Sequence, residues 1–133
     1  MGDDGRNAGF SQQKVALVVE DDADQRDLIG AILEESDLRV IGCESGEAAM
    51  EIMERVGDRT VFMLADVNLA GVMDGIDLAR NVSDRWPHTR LVATSGGCDQ
   101  KRMRALPKDT RFMPKPWRAL DLMMEVERAI AAR

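Results

Sequence analysis

The sequence has few of the residues that build metal–thiolate sites or disulfide frameworks. It contains two cysteines and one histidine among 133 residues, and Cys43 and Cys98 do not form a CxxC pair. A structural zinc site takes four cysteine or histidine ligands, so we do not expect zinc. Cys43 follows apolar residues of a strand-like segment and is interpreted as a small buried side chain.

Long apolar runs and an excess of basic residues are also missing. No stretch approaches the roughly 20 apolar residues needed to cross a bilayer, and the first residues lack the apolar core of a signal peptide. Acidic residues outnumber basic ones, 24 to 18, which gives a net charge of −6 and argues against a nucleic-acid surface. We therefore expect a cytoplasmic protein that binds neither membrane nor nucleic acid.

The composition is that of one folded domain. Hydrophobic residues make up 44% of the chain and charged residues 32%, and 133 residues can enclose a core without disulfides. We predict a flexible N-terminal tail over residues 1–13 and a single domain over residues 14–133.

Apolar runs and helical patterns alternate along the chain. Continuous apolar runs are typical of strands buried on both faces, and apolar residues spaced by three or four are typical of helices. The predicted strands cover residues 15–19, 38–43, 60–66, 90–95 and 111–115. The predicted helices cover residues 24–35, 46–56, 76–86 and 98–106, with a last helix from about residue 120. This alternation predicts a parallel sheet with helices on both faces and right-handed crossovers.

The same spacing predicts which side of each helix is buried. Asp22 or Asp24 can cap the first helix. The predicted inward residues are Leu28, Ile29, Ile32 and Leu33 in the first helix, Ala49, Ile52, Met53 and Val56 in the second, Ile76, Ala79 and Val82 in the third, and Leu120, Met123, Val126 and Ile130 in the last.

Polar side chains collect at the carboxyl ends of the predicted strands. Glu20 and Asp21 follow the first strand, and Asp66, Thr94 and Lys115 end the third, fourth and fifth. In a parallel sheet these ends share one edge, where ligands bind in open sheets. Crowded carboxylates repel one another and favour an oxygen-seeking cation such as Mg²⁺. One such aspartate is more often a helix cap, but a lysine, a hydroxyl and a metal together can surround a phosphoryl group.

The ordered set of motifs at these strand ends resembles the receiver domain of two-component response regulators. The motifs are Val18-Val19-Glu20-Asp21-Asp22, Asp66-Val67-Asn68 with Met73-Asp74-Gly75, Thr94-Ser95-Gly96 and Phe112-Met113-Pro114-Lys115-Pro116. The resemblance extends from about residue 15 to residue 131. It implies an α/β fold of the doubly wound, flavodoxin-like (βα)5 type. The parallel strands would follow the order 2-1-3-4-5, as in the chemotaxis response regulator.

The resemblance also implies roles at the phosphorylation and metal site. Asp66 matches the phosphoacceptor. Asp21 matches the carboxylate that binds Mg²⁺ directly, and Glu20 matches the acid that supports it. Asn68 matches the position whose backbone carbonyl completes the metal site.

The remaining matches concern the response to phosphorylation. Thr94 matches the hydroxyl that moves onto the phosphoryl group, and Lys115 matches the lysine that pairs with that group. Phe112 falls at the aromatic switch position, and the Lys115–Pro116 bond matches a peptide that is usually cis. Leu69-Ala70 departs from the usual Met-Pro after the acceptor, which predicts a looser loop.

The function implied is that of a phosphorylation-controlled switch without an output domain. A sensor histidine kinase or histidine phosphotransfer protein would donate the phosphoryl group, and the only catalysis would be self-phosphorylation and self-dephosphorylation. A downstream protein or a second copy would dock on the fourth helix, fifth strand and last helix. Lys101, Arg102, Arg104 and Trp117 would mark that surface, although a basic cluster of this kind is also compatible with a solvated helix face.

Two other functions remain open from the sequence. A phosphatase resembling the haloacid dehalogenase family would also use a strand-end aspartate and Mg²⁺, but it would need a second aspartate where Asn68 stands. A receiver that docks without being phosphorylated is the other alternative, and the intact set of acids, hydroxyl and lysine argues against it.

Overall fold

The computed structural model describes residues 13–97 and 100–132. Within these residues, five strands alternate with five helices, as predicted. The strands are β1 (Val15–Val19), β2 (Arg39–Cys43), β3 (Thr60–Asp66), β4 (Arg90–Ser95) and β5 (Arg111–Pro114). The helices are α1 (Ala23–Leu33), α2 (Gly46–Val56), α3 (Gly75–Arg85), α4 (Gln100–Met103) and α5 (Ala119–Ala131), and a 3-10 turn covers Gly57–Arg59.

The strands form one parallel sheet in the order β2-β1-β3-β4-β5, which confirms the predicted order. All residues of the central strand β3 are buried, as its continuous apolar run predicts. The chain passes from β1 to β2 on one side and returns to β3 on the other. Ligands bind at such a reversal in doubly wound sheets, and Glu20 and Asp66 lie on its two sides.

The core consists of two layers, one on each face of the sheet. Alternate residues of a strand point to opposite faces, so neighbouring residues of β1 and β3 contribute to different layers. The layer beneath α1 and α5 includes Ala16, Val18, Phe62, Leu64, Ile29, Leu33, Leu122 and Val126. The layer beneath α2 and α3 includes Leu17, Val19, Met63, Ala65, Ala49, Met53, Leu78 and Val82.

Side-chain caps begin the helices next to the site. Asp22 accepts a hydrogen bond from the Gln25 N–H and caps α1, which selects one of the two predicted caps. Asp74 and Asp77 cap each other's backbone N–H groups at the start of α3 in a capping box. These caps hold both helix N-termini at the carboxyl edge of the sheet.

The predicted buried face of the last helix is wrong. Leu120 is 60% exposed and Ile130 is 42% exposed, whereas Val126 is buried as expected. The buried face of α5 differs from the predicted one because a carboxylate, Glu125, lies on the inward side of the helix at 5% exposure. A hydrophobicity pattern assigns such a residue to the outer face. The buried residues of α5 are Leu122, Glu125, Val126 and Ala129.

Several element bounds and buried positions also differ from the prediction. Leu28 of α1 is 62% exposed, although Ile29 and Leu33 beside it are buried. The strand β5 ends at Pro114 rather than at Lys115, which still donates its backbone N–H to the Ser95 carbonyl. The helix predicted over residues 98–106 covers only Gln100–Met103 of the described residues. Cys98 and most of the predicted tail over residues 1–13 lie outside the described residues.

Candidate functional site

Asp66 ends β3 with its carboxylate held on both oxygens. Its Oδ1 accepts the backbone N–H of Asn68 at 2.9 Å, and its Oδ2 accepts the Lys115 Nζ at 3.1 Å. The residue is 9% exposed and is paired in register with Thr94 of β4. The carboxylate is therefore fixed in position close to the surface, as a nucleophile at a sheet edge requires.

Lys115 follows β5 and connects two acids across the sheet edge. Its Nζ lies 3.1 Å from Asp66 Oδ2 and 3.7 Å from Glu20 Oε1. The same amine donates to Gln25 Oε1 at 3.1 Å. Gln25 is an exposed residue in the first turn of α1, and no local pattern in the sequence singles it out. The peptide bond from Lys115 to Pro116 is cis, as the resemblance implies.

Glu20 is a buried carboxylate with one unsatisfied oxygen. It is 2% exposed, and its Oε2 accepts the Asp22 N–H at 3.0 Å. Its Oε1 has no hydrogen-bond partner in the described part of the chain. Burial raises the pKa of Glu20 above its usual range, and the negative charge of Asp66 raises it further. A buried oxygen without a donor indicates a place for a cation or a bound water.

The donor set around Glu20 and Asp66 fits Mg²⁺. No group of three or more histidine, cysteine, aspartate or glutamate side chains within residues 13–97 and 100–132 is arranged to hold a metal, so the expected crowding of three acids is not seen. Asp21 is exposed beside the two buried acids. Mg²⁺ binds one or two carboxylates directly and keeps water or phosphate oxygens as its other ligands. The unsatisfied Glu20 oxygen and the hard oxygen donors suit this ion.

Thr94 and Phe112 belong to different sides of the sheet. Thr94 is 1% exposed, and its Oγ1 accepts the indole N–H of Trp117 at 2.9 Å. The half-buried Trp117 packs against the layer beneath α1 and α5. Phe112 packs instead against a cluster of Val67, Ile76 and Ala93. The resemblance predicts Trp117 on a docking surface, and no pattern in the sequence indicates its bond to Thr94.

Asn68 closes the site on the β4 side. Its Nδ2 donates to Ser95 Oγ at 2.9 Å and to the Gly97 carbonyl at 3.2 Å. Its Oδ1 accepts Arg102 Nη1 at 3.4 Å, and Arg102 Nη2 forms an ion pair with Asp74 at 2.6 Å. Partial burial raises the pKa of the Asp74 carboxyl. The hydrogen bond from the Asp77 N–H and the charge of Arg102 lower it by more, so the pKa of Asp74 lies below its usual range. Of the predicted basic cluster, Arg102 is thus directed at the site.

The absence of Met-Pro after Asp66 predicts a loose loop between β3 and α3, but hydrogen bonds hold this loop in place. Glu47 of α2 accepts the backbone N–H groups of Val72 and Met73 at 3.1 and 3.2 Å. Gly71 adopts φ +104°, a conformation that glycine reaches without strain. The Gly75 N–H donates to the Val67 carbonyl at 3.0 Å, which ties the start of α3 to the residue that follows Asp66.

Membrane insertion has no support in the helices. Among the described helices, none combines the length and apolar character that spanning a bilayer requires.

Comparison with known proteins gives a consistent result. The family model of the response regulator receiver domain matches residues 16–127. The response regulator receiver protein CpdR of Brucella abortus is 27% identical over 121 residues, which cover 90% of this chain and 98% of CpdR. The sensor kinase CckA of the same organism is 31% identical over 115 residues, which cover 85% of this chain but only 12% of the kinase.

Solved structures show the same fold. A response regulator receiver protein from Sinorhizobium medicae superposes with a TM-score of 0.82 at 21% identity, covering 91% of this chain and 97% of that one. A CheY-like receiver domain protein from Methanospirillum hungatei superposes with a TM-score of 0.78 at 19% identity, covering 90% and 95%. With the family model matched over most of the chain, and with Glu20, Asp66 and Lys115 together at the strand ends, the chain belongs to the response regulator receiver domain family of two-component signalling.

Proposed function

We propose that Asp66 accepts a phosphoryl group from a phosphohistidine of a sensor histidine kinase or histidine phosphotransfer protein. The observation that carries this proposal is the Asp66 carboxylate, which is held by the Asn68 N–H and the Lys115 ammonium at the edge of the sheet. Buried Glu20 and the Thr94 hydroxyl lie at the ends of the two neighbouring strands. Such a donor also implies a cytoplasmic location.

The transfer is an in-line displacement at phosphorus. A carboxylate oxygen of ionised Asp66 forms the new P–O bond while the P–N bond to the donor histidine breaks. The histidine nitrogen leaves with the bonding electron pair and takes up a proton. Lys115 pairs with a phosphoryl oxygen and Thr94 donates its hydroxyl proton to another, so that positioned charge and hydrogen bonds do most of the work.

The cation site lies beside the acceptor. Receiver domains generally bind Mg²⁺, and here Glu20, Asp21, Asp66 and the backbone carbonyl of Asn68 would hold it. When bound, the ion neutralises negative charge on the phosphoryl oxygens. The unsatisfied Glu20 oxygen supports this assignment.

The switch resets by hydrolysis of the acyl phosphate. Water attacks phosphorus, the P–O bond to Asp66 breaks, and the carboxylate and inorganic phosphate are released. While the phosphoryl group is present, a changed surface on α4, β5 and α5 would bind a downstream protein or a second copy. The chain would act on no other substrate.

A phosphatase of the haloacid dehalogenase type is disfavoured. That chemistry needs an acid and base two residues after the nucleophile, where this chain has Asn68. The Asn68 amide is hydrogen-bonded to Ser95 and Gly97 and cannot exchange a proton with a leaving group.

The test is incubation with acetyl phosphate and Mg²⁺ followed by intact mass measurement. The wild type should gain the mass of one phosphoryl group, and Asp66→Asn should gain none. Asp84→Asn, which changes an exposed aspartate of α3, is the matched control and should behave like the wild type. If the folded wild type gains no mass with Mg²⁺ present, a receiver that docks without phosphorylation is favoured. A gain that persists in Asp66→Asn would assign the acceptor elsewhere.

A further inference from the structure

The loop between β3 and α3, residues 67–74, carries the backbone that the proposed function needs beside Asp66. The Asn68 N–H donates to Asp66 Oδ1 at 2.9 Å, and the Asn68 carbonyl is the proposed backbone ligand of Mg²⁺. At one end of the loop the Val67 N–H donates to the Thr94 carbonyl of β4 at 2.9 Å. The other end is bound by the capping box of α3. The position of the Asn68 carbonyl therefore depends on how the segment between these two ends is held.

A side chain from another element holds the centre of this loop. Glu47 lies in the first turn of α2, and its Oε2 accepts the backbone N–H groups of both Val72 and Met73, at 3.1 and 3.2 Å. Val72 is 96% exposed, so burial of its side chain does not keep the loop in place. Hydrogen bonds from its own backbone N–H, from Met73 and from Val72 lower the pKa of Glu47, so the acceptor is charged throughout the neutral range.

The backbone of the loop is shaped to meet the Glu47 carboxylate. Gly71 has φ +104°, and a Cβ at this position would lie 3.2 Å from Glu47 Oε1 and 3.3 Å from Oε2. On either side of the exposed segment, Leu69 is buried in the layer beneath α2 and α3, and Met73 packs against that layer. Apolar contacts therefore hold the flanks of the loop, and Glu47 holds the exposed segment between them.

We propose that Glu47 is a positioning residue whose carboxylate keeps the loop in the shape that presents the Asn68 backbone to Asp66 and to Mg²⁺. This inference rests on the proposed function, because Mg²⁺ binding at Asn68 is part of that function. Without the carboxylate, the two N–H groups would bond to water and the loop would adopt several conformations. Only the fraction with the competent shape would then bind the cation, which weakens the apparent affinity.

The negative charge of Glu47 offers a different explanation, since it attracts a cation at a distance. Three substitutions separate the hydrogen bonds from the charge. Glu47→Ala removes both, Glu47→Gln keeps the length and an acceptor oxygen, and Glu47→Asp keeps the charge on a side chain one methylene shorter. Glu51→Ala removes the same charge from an exposed position one turn further along α2 and is the matched control.

The first experiment measures amide hydrogen exchange at Val72 and Met73 without Mg²⁺ and without a phosphoryl donor. Exchange should be faster in Glu47→Ala and Glu47→Asp by about 2- to 10-fold, the range that one net hydrogen bond supports. Glu47→Gln should stay closer to the wild type than either variant, and Glu51→Ala should match the wild type. Unchanged exchange in Glu47→Ala, or exchange rates that follow the charge of residue 47 rather than its length, would overturn the inference.

The second experiment measures Mg²⁺ affinity by calorimetry. Glu47→Ala and Glu47→Asp should bind Mg²⁺ about 2- to 10-fold more weakly than the wild type, and Glu47→Gln should retain most of the affinity. Mg²⁺ should in turn slow the exchange of Val72 and Met73 in the wild type, because coupling between binding and loop order acts in both directions. Glu47→Gln and Glu51→Ala proteins as weak as Glu47→Ala would assign the effect to charge and overturn the inference.

The outcomes separate this inference from the proposed function. A wild type that gains a phosphoryl group from acetyl phosphate, while Glu47→Ala binds Mg²⁺ as tightly as the wild type does, overturns the inference alone. A folded wild type that gains no phosphoryl group overturns the proposed function, and the exchange and Mg²⁺ measurements still decide the role of Glu47.

Discussion

Gly75, the first residue of α3, lies close against the backbone of Asp66 and Val67. A Cβ at this position would lie against the Asp66 carbonyl oxygen and 2.7 Å from the Val67 Cα. Backbone atoms cannot move aside as a flexible side chain can. The absence of a side chain at one residue therefore allows α3 to begin directly beside the site.

We expect Gly75→Ala to lower the free energy of unfolding by about 1–3 kcal/mol, the cost of overpacking a close contact. It should also slow phosphorylation by acetyl phosphate, because Asp66 and Val67 must shift. Gly30→Ala in α1 is the control, since a Cβ there meets no atom within 4 Å and alanine favours a helix by up to about 1 kcal/mol. Urea denaturation measures the free energy of unfolding of both variants. Equal stability of Gly75→Ala and wild type would show that the contact is not tight.

Among the elements, α5 is joined to the edge of the sheet by a charged cluster instead of an apolar seam alone. Glu125 accepts hydrogen bonds from Arg90 of β4, Arg111 of β5 and Arg128 of α5 at 2.9–3.3 Å. The glutamate side chain is 6% exposed, while the three arginines are 26%, 55% and 46% exposed. The strand β5 is short and has one strand neighbour, and this cluster adds charged contacts to the apolar packing of Met113 against the helix.

Glu125→Gln should lower the free energy of unfolding by about 1–2 kcal/mol. This is less than the 3–5 kcal/mol of a fully buried pair, because the arginines remain partly hydrated. Glu127→Gln changes an exposed glutamate on the same helix and should cost little. Chemical denaturation in low salt and in high salt gives the measurement, and the difference should shrink with salt. A Glu125→Gln protein as stable as Glu127→Gln would mean that packing alone holds α5.

For the molecule as a whole, the buried Glu20 carboxylate at the carboxyl edge of the sheet lowers the stability of the protein when no cation is bound beside it. Burial raises the pKa of Glu20, so the folded state binds a proton more tightly than the unfolded state does. Stability therefore falls as the pH rises from the usual range of a glutamate through the raised pKa of Glu20. Above that pKa the buried charge is a cost that a bound cation would offset.

We expect Glu20→Gln to raise Tm by a few degrees, about the effect of 1 kcal/mol in a domain of this size, near pH 7.5 without Mg²⁺. The gain should shrink as the pH falls through the raised pKa of Glu20, where the wild-type carboxyl takes up a proton. Saturating Mg²⁺ should raise the wild-type Tm, because a ligand that binds only the folded state stabilises it by about 2.7 kcal/mol at 100 times Kd. Mg²⁺ should raise the Tm of Glu20→Gln by less. Thermal melts of both proteins and of the exposed control Glu44→Gln measure this. A lower Tm of Glu20→Gln at pH 7.5 would contradict it.

The strands of the core and the meeting of the site residues follow from the order of residues along the chain. The strands β1, β3 and β4 have the predicted bounds because a strand buried on both faces requires an uninterrupted apolar run. Glu20, Asp66 and Lys115 come together because each lies at the carboxyl end of a predicted strand, and parallel strands bring these ends to one edge. The apolar runs and the strand-end residues are local features of the chain, and they are sufficient to predict the strand bounds and the meeting of these side chains.

Which polar side chains face inward, and which partners they bind, depends on how the elements pack in the folded protein. Glu125 and Arg90 are 35 residues apart, and Trp117 and Thr94 are 23 residues apart. Periodicity over one helix or strand carries no record of such distant partners. The apolar spacing therefore assigned Leu120 to the buried face of α5, and neither this spacing nor the family resemblance indicates the bond between Trp117 and Thr94. An inward carboxylate or indole is stable only where the fold supplies its partner, and that partner exists only after the chain has folded.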